Sequence, residues 1–228
     1  MQKTISIQKR EIELANGKLR MTEAAVLTIA KMVDAKDENT SQHSYRVAQY
    51  SLLIADKLGL NSADKEELRR AAMLHDIGKI RISDSILKKP SRLTDEEADI
   101  MRNHVVSGAE ILRDFNFSDY IIDGARYHHE RYDGSGYVEG LKGEDIPLFA
   151  RIIGIADAFD AMTANRVYRK RLSFDVVLSE IKKGRGTQFD PQMADIMLEL
   201  IEERLIDEKE IYEKSDFDNE QNEEGVVV

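Results

Sequence analysis

At 228 residues with 42% apolar content, the chain is long enough to bury a core, and a formal charge of -10 makes it too acidic for general duplex nucleic-acid binding. It has no cysteine, which excludes disulfides, thiolate metal sites and cysteine nucleophiles, so any metal must be held by His, Asp and Glu. The longest apolar run, Phe149 to Phe159, is broken by Arg151 and Asp157, and the charged N-terminus has no signal-peptide core, so a cytoplasmic protein with no membrane segment is expected.

Ile5, Ile12, Leu19 and Val26 recur every seven positions over a highly charged start. This predicts a helical N-terminal extension over 1–20, either solvated or pairing with a second copy as a homodimer. Thr22 to Ala35 reads as a helix stopped by Asp37-Glu38-Asn39-Thr40, and Ser41 is the expected N-cap of the next. There His43, Val47, Tyr50, Ile54 and Leu58 form one stripe until Gly59 closes the helix. Asp64 with Glu67 predicts a capping box, after which Leu68, Ala71, Ala72 and His75 share a face. His75 thus points inward, followed by Asp76, by Gly78 as the helix stop and by Lys79. Arg81 to Leu93 reads as a loop.

Thr94 and Glu97 form a second capping box, opening one helix whose stripe is Met101, Val105, Gly108, Leu112 and Phe115, with His104 beside it. A helix from about Ser118 puts Ile121, Ala125 and His128 on one side, with His129 adjacent. It ends at the turn-forming run from Arg131 to Tyr137. Pro147 opens the next helix, on which Ile153, Asp157 and Asp160 or Ala161 share a face, and burying Asp157 there without a partner would be costly. Ser173 to Lys183 is helical, and Asp190-Pro191 caps a last helix reaching about Arg204. From Glu202 to Val228, eleven acidic and three basic residues give a local charge of -8, leaving about -2 for the rest. The tail from 206 to 228 is expected to be disordered. No convincing strand alternation occurs, and the expectation is an all-α fold with one helical domain over 21–205.

A single buried helical histidine is most often a core residue satisfied by one hydrogen bond. Here the whole stock of five, His43, His75, His104, His128 and His129, falls on or beside inward helix faces or helix ends. With Asp76 and Asp157 they make seven potential ligands, too many for one ion and suited to two sharing the Asp76 carboxylate. Two metals sharing a carboxylate suit phosphoester hydrolysis by a metal-bridging hydroxide, and a nitrogen-rich, thiolate-free site suits iron, manganese or zinc. Asp76 and Lys79 are the catalytic candidates, Lys79 because its ammonium can meet a phosphate oxygen. Arg166, Arg169, Lys170 and Arg171 form the densest basic patch of the chain, read either as a phosphate contact or as a solvated face.

Several runs of this sequence resemble the motifs of the HD-GYP family in order and spacing. They are His43, His75-Asp76-Ile77-Gly78-Lys79, Met101-Arg102-Asn103-His104, His128-His129-Glu130, Asp133-Gly134-Ser135-Gly136-Tyr137, Ala156-Asp157-Ala158-Phe159-Asp160 and Arg166-Val167-Tyr168-Arg169. The resemblance, covering residues 21 to 198, implies an HD-type helical metal domain that hydrolyses the bacterial second messenger cyclic di-GMP to pGpG, and in many members onward to GMP. It implies that His43, His75, Asp76 and Asp157 hold one metal and that Asp76, His104, His128 and His129 hold the second. Lys79, Tyr137, Arg166 and Arg169 match positions that contact substrate, and signalling proteins are the implied partners. The family's Gly-Tyr-Pro is Gly136-Tyr137-Val138 here, its Arg-Pro-Tyr-Lys is Arg166-Val167-Tyr168-Arg169, and the glutamate that adds a third ion in some members is Asn39. Two metals are therefore expected, with Asn39 outside the ligand set. The alternatives are an HD phosphohydrolase acting on another nucleotide or cyclic dinucleotide, and a weakly active nucleotide-binding signalling module.

Overall fold

The computed structural model describes residues 24–25, 28–36, 42–164 and 171–206. The extension over 1–20, the heptad stripe through Val26, Asn39, Ser41, the Arg166 and Arg169 patch and the acidic tail beyond 206 lie outside the described residues. What is described is helical, with no strand and one isolated bridge between Arg185 and Phe189. No helix among the described residues is long and apolar enough to cross a membrane.

Helix α1 covers residues 28–36, and α2 runs His43–Lys57. Gly59, at φ 71°, closes α2 as the sequence predicts: its N–H meets the Asp56 carbonyl at 3.1 Å while the Leu60 N–H reaches the Ala55 carbonyl at 3.0 Å. The start of α2 is less conventional, because Gln42 at its N-cap sits at φ 64° and gives no side-chain cap. Helix α3, Ser62–Leu74, begins at Asn61 rather than at the expected Asp64 and Glu67 box. The Asn61 side chain accepts the Ala63 and Asp64 N–H groups, leaving Glu67 one turn in, where its carboxylate accepts the Ser118 hydroxyl and ties α3 to the helix after it.

His75 caps the C-terminus of α3, Asp76 follows, and Ile77–Arg81 forms a 3-10 turn. Gly78 is not the helix stop that the sequence predicts. It is buried in that turn against the next helix pair, where a Cβ atom would lie 1.9 Å from the His104 carbonyl oxygen and 2.5 Å from the Gly108 nitrogen. The stretch expected as a loop holds one helical turn, α4, Asp84–Leu87, anchored by buried Leu87. The capping box of Thr94 and Glu97 forms as expected and opens α5, Asp95–Arg102. The single helix expected from there breaks at Asn103, and in α6, His104–Asp114, Val105 and Leu112 lie in the core while Phe115, just past its end, stays 69% exposed. The break lets α6 lie across the 3-10 turn, Gly108 facing Gly78.

Helix α7, Asp119–Tyr127, starts at Ser118 and ends at His128. Helices α8, Leu148–Thr163, α9, Phe174–Gly184, and α10, Pro191–Glu202, follow, with N-caps at Pro147, Ser173 and Asp190. Helix α2 packs on α3 and α8, α3 on α7, and α7 on both α6 and α8. Ile54, Leu68, Leu74, Leu112, Ile121, Ile152, Ile153 and Phe159 fill the space between them. Each such side chain contributes about 1.5 to 3 kcal/mol by leaving water. This core holds the ends of α2, α3, α6 and α7 around one point.

The Gly78 contact is backbone against backbone, so it cannot be relieved by a rotamer change. Gly78→Ala is expected to destabilise the fold by at least about 3 kcal/mol, read from the urea midpoint, whereas Gly59→Ala, where nothing lies within 4 Å, should cost only the strain of its positive φ.

Candidate metal centre

Four of the helix ends meeting at this point carry histidines. His43 opens α2, His75 caps α3, His104 opens α6, and His128 caps α7 with His129 next in sequence. His75, His104 and His128 use the same local device. Each imidazole Nδ1 donates to the carbonyl three residues earlier, of Ala72 at 2.7 Å, Met101 at 2.7 Å and Ala125 at 2.9 Å. That bond fixes the tautomer and leaves Nε2 as a bare lone pair turned inward. His43 is oriented differently: its Nδ1 lies 2.7 Å from Asp160 Oδ2, and the Arg46 guanidinium clamps both Asp160 oxygens at 2.6 and 3.0 Å.

The inward nitrogens converge on Asp76. Its Oδ1 lies 3.2 Å from His104 Nε2 and 3.9 Å from His128 Nε2, and its Oδ2 lies 3.5 Å from His75 Nε2 and 3.9 Å from His43 Nε2. Asp157, on α8, adds a carboxylate 3.3 Å from His43 Nε2. Ligand atoms of His43, His75 and Asp157 lie within 4.8 Å of one another, and so do those of His104, His128 and His129. The two carboxylate oxygens of Asp76 thus face two separate sets. All seven residues that the sequence proposes as ligands come together, with His43, His75, Asp76, His104 and His128 buried and His129 and Asp157 half-buried.

This donor set fits divalent cations. The Nε2 of fully buried His75 has no hydrogen-bond partner, a cost that a Lewis acid would remove. Burial would push the Asp76 carboxyl up, but the Lys79 ammonium beside it holds it well below the usual carboxylate range. Burial and the neighbouring imidazoles depress His128, and burial chiefly brings His129 down to about 4, so both are neutral and ready to ligate at pH 7. His43 runs the other way: burial disfavours its charge, yet Asp157 and Asp160 overcome this and raise it to about 10. At neutral pH it is an imidazolium held between two carboxylates.

The other candidates divide. Lys79 reaches the centre, its Nζ 2.6 Å from Asp76 Oδ2. The Tyr137 ring lies 5.0 Å from that of His129 at an interplanar angle of 30° and walls the open side. The loop carrying it is pinned without the family's proline: Glu130 accepts the Glu139 and Gly140 N–H groups at 2.7 and 3.1 Å, and Arg126 holds Glu139 at 2.8 Å. Arg166 and Arg169 fall outside the described residues. Beyond His129, Tyr137 and Asp157 a cavity of about 440 Å³ extends between α8 and the turn before α10. Sequence reasoning placed Asp160 on the right face but gave it no role, and it missed Arg46. Their spacing of three residues from Asp157 and from His43 was the available signal.

Because His43 must lose its Nε2 proton to ligate, while His128 and His129 are already neutral, metal uptake at pH 7.5 should release about one proton at the His43 site. Affinity should accordingly fall as pH drops. Titration calorimetry with Mn²⁺ in buffers of different ionisation enthalpy reads the count, and Asp160→Asn should lower it. A release of zero protons would contradict the assignment.

Comparison with known proteins agrees with this geometry. The HD domain family matches residues 28–193. The cyclic di-GMP phosphodiesterase response regulator RpfG of Xanthomonas campestris is 38% identical over 86% of this chain and 53% of its own length. The 3'3'-cGAMP-specific phosphodiesterase 3 of Vibrio cholerae is 41% identical over 75% of the chain and 37% of its own. A cyclic di-GMP phosphodiesterase of Thermotoga maritima is 40% identical over 78% and 49%. The chain therefore spans about half the length, or less, of these relatives. The crystal structure of a cyclic GMP-AMP-specific phosphodiesterase of Vibrio cholerae superposes with a TM-score of 0.62 at 22% identity, over 78% of this chain and 48% of that one. The HD domain of the Listeria monocytogenes phosphodiesterase PgpH gives 0.53 at 23% identity, over 75% and 92%. With its histidine and aspartate motifs and these relatives, the chain belongs to the HD domain family, in its HD-GYP branch.

Proposed function

We propose that this protein is a metal-dependent phosphodiesterase that opens cyclic di-GMP to linear pGpG, using two divalent cations, iron, manganese or zinc. The observation that carries the reading is the division of the Asp76 carboxylate between two ligand sets. His43, His75, Asp157 and Asp76 Oδ2 would hold one cation, and His104, His128, His129 and Asp76 Oδ1 the other. Bound there, the two cations would lower the pKa of a water and polarise a phosphoryl oxygen.

The remaining chemistry belongs to the chain. Lys79 sits at the mouth of the centre, where its ammonium can neutralise a non-bridging phosphate oxygen and, in the transition state, the charge building on it. Burial raises the Tyr137 phenol, which stays protonated and can donate to the phosphate while its ring excludes water beside His129. Asp160 and Arg46 keep the His43 ring in register. Arg166 and Arg169 would bind the second phosphate or a base of the ligand.

A second reading, the mixed dinucleotide 3'3'-cGAMP as substrate, is favoured by the 41% identity to an enzyme named for it. The two readings share the centre and differ in the base. Product analysis of anaerobically purified protein with both dinucleotides separates them. Asp76→Ala should abolish hydrolysis and remove at least one metal per chain, and near-normal turnover with full metal content would sink the reading. Arg166→Ala together with Arg169→Ala should weaken dinucleotide binding while metal content stays unchanged, since guanidinium groups do not ligate cations.

A further inference from the structure

Helix α1 carries none of the ligand residues, yet two of its side chains grip both halves of the centre. Asp34 is buried and accepts the Ser44 hydroxyl at 2.7 Å and the Ser44 N–H at 3.3 Å. Ser44 is the residue after His43, in the first turn of α2. Since Gln42 supplies no cap to that helix, a carboxylate borrowed from α1 meets one of its exposed N–H groups and its positive dipole end. Two residues on, Lys36 points to the other half. Its Nζ lies 3.3, 2.9 and 2.5 Å from the carbonyl oxygens of Lys79, Ile80 and Ile82, and 3.8 Å from Asp84 Oδ1. It is therefore a cation on the C-terminal carbonyls of the 3-10 turn that begins just after Asp76 and presents Lys79.

The two contacts have different consequences. Asp34 sets where α2 begins and so where His43 stands relative to Asp157 and Asp76. Lys36 sets the backbone from which Lys79 reaches the Asp76 carboxylate. Three of the Lys36 contacts fall on consecutive or near-consecutive carbonyls, an arrangement that an ammonium with three donors satisfies and a neutral side chain does not.

We propose that Asp34 and Lys36 are positioning residues for the centre, Asp34 acting through His43 on metal affinity and Lys36 acting through Lys79 on turnover. A shift of α1 would then act on both at once, making this helix the point at which the catalytic centre is adjusted. The turnover part rests on the phosphodiesterase reading above, and the metal part does not.

The test uses the full chain with four variants. Asp34→Ala is expected to weaken Mn²⁺ binding by the metal-free protein by about tenfold or more, the usual effect of losing a group that orients a ligand, whereas Asp34→Asn, which keeps an acceptor, stays near wild type. Lys36→Met, which keeps the aliphatic stem, should retain Mn²⁺ affinity and lose kcat on a cyclic dinucleotide by about tenfold with little change in KM, and Lys36→Arg should restore most of that loss. Val33→Ala loosens the same helix only through the core and provides the stability control. The proposal is overturned if Asp34→Ala binds Mn²⁺ like wild type and Lys36→Met keeps wild-type kcat. It is equally overturned if both variants lose function only in proportion to melting temperature, as Val33→Ala does. Should the wild-type protein hydrolyse no cyclic dinucleotide, the functional reading fails, and the Mn²⁺ titrations of Asp34→Ala and Asp34→Asn still decide the role of α1.

Discussion

One local hydrogen bond, repeated three times, governs the arrangement of this protein. At His75, His104 and His128 the imidazole Nδ1–H is spent on the carbonyl three residues earlier. A histidine in that position can neither rotate nor change tautomer without breaking the bond, so its Nε2 is committed as an acceptor. Three committed lone pairs, buried and facing one carboxylate, would be a poor way to stabilise an apolar core. They are a good way to preorganise a cation site, because the rings are ordered before any ligand arrives.

The helices give this device its geometry. A helix end is where the side chain can fold back on its own last turn and where the chain can change direction, and four helix ends carry the imidazoles. Close approach of the α6 start to the 3-10 turn, possible because Gly78 has no side chain, brings His104 against Asp76. The protein meets the remaining electrostatic cost with its own charges. Lys79 covers one Asp76 oxygen, and the His43 imidazolium, Asp157, Asp160 and Arg46 form an alternating chain of charge beside it. Those pairs compensate the carboxylates, and they are the contacts that a cation at the centre must displace or join.

Much of this was legible in the sequence. The stripes from His43 to Leu58 and from Leu68 to His75 placed two histidines inward, the box at Thr94 and Glu97 opened its helix, and Asp190-Pro191 began the last. Periodicity works at these positions because one helix face is enough to decide them. What sequence reading misassigned depended on contacts between distant elements. Gly78 reads as a helix stop until α6 is seen lying on it, and the stripe from Met101 to Phe115 reads as one helix because a break at Asn103 leaves its spacing nearly intact. The α3 cap moved to Asn61, whose side chain takes the Ala63 and Asp64 N–H groups and so starts the helix one turn before Asp64. Asp160 and Arg46 could not be paired with His43 until the crossing of α2 and α8 was known.

The central claim is that the shared carboxylate organises two cation sites rather than one. The alternative has its own geometric basis, since His75, Asp76 and His128 also bring ligand atoms within 4.8 Å of one another and would suffice for a single ion between them. Anomalous diffraction from crystals of Mn²⁺-loaded protein distinguishes the two directly. The account predicts two peaks, one bounded by His43, His75 and Asp157 and the other by His104, His128 and His129, each touching a different oxygen of Asp76. A single peak on His75, Asp76 and His128 would contradict it, and so would a third full peak beside Asn39.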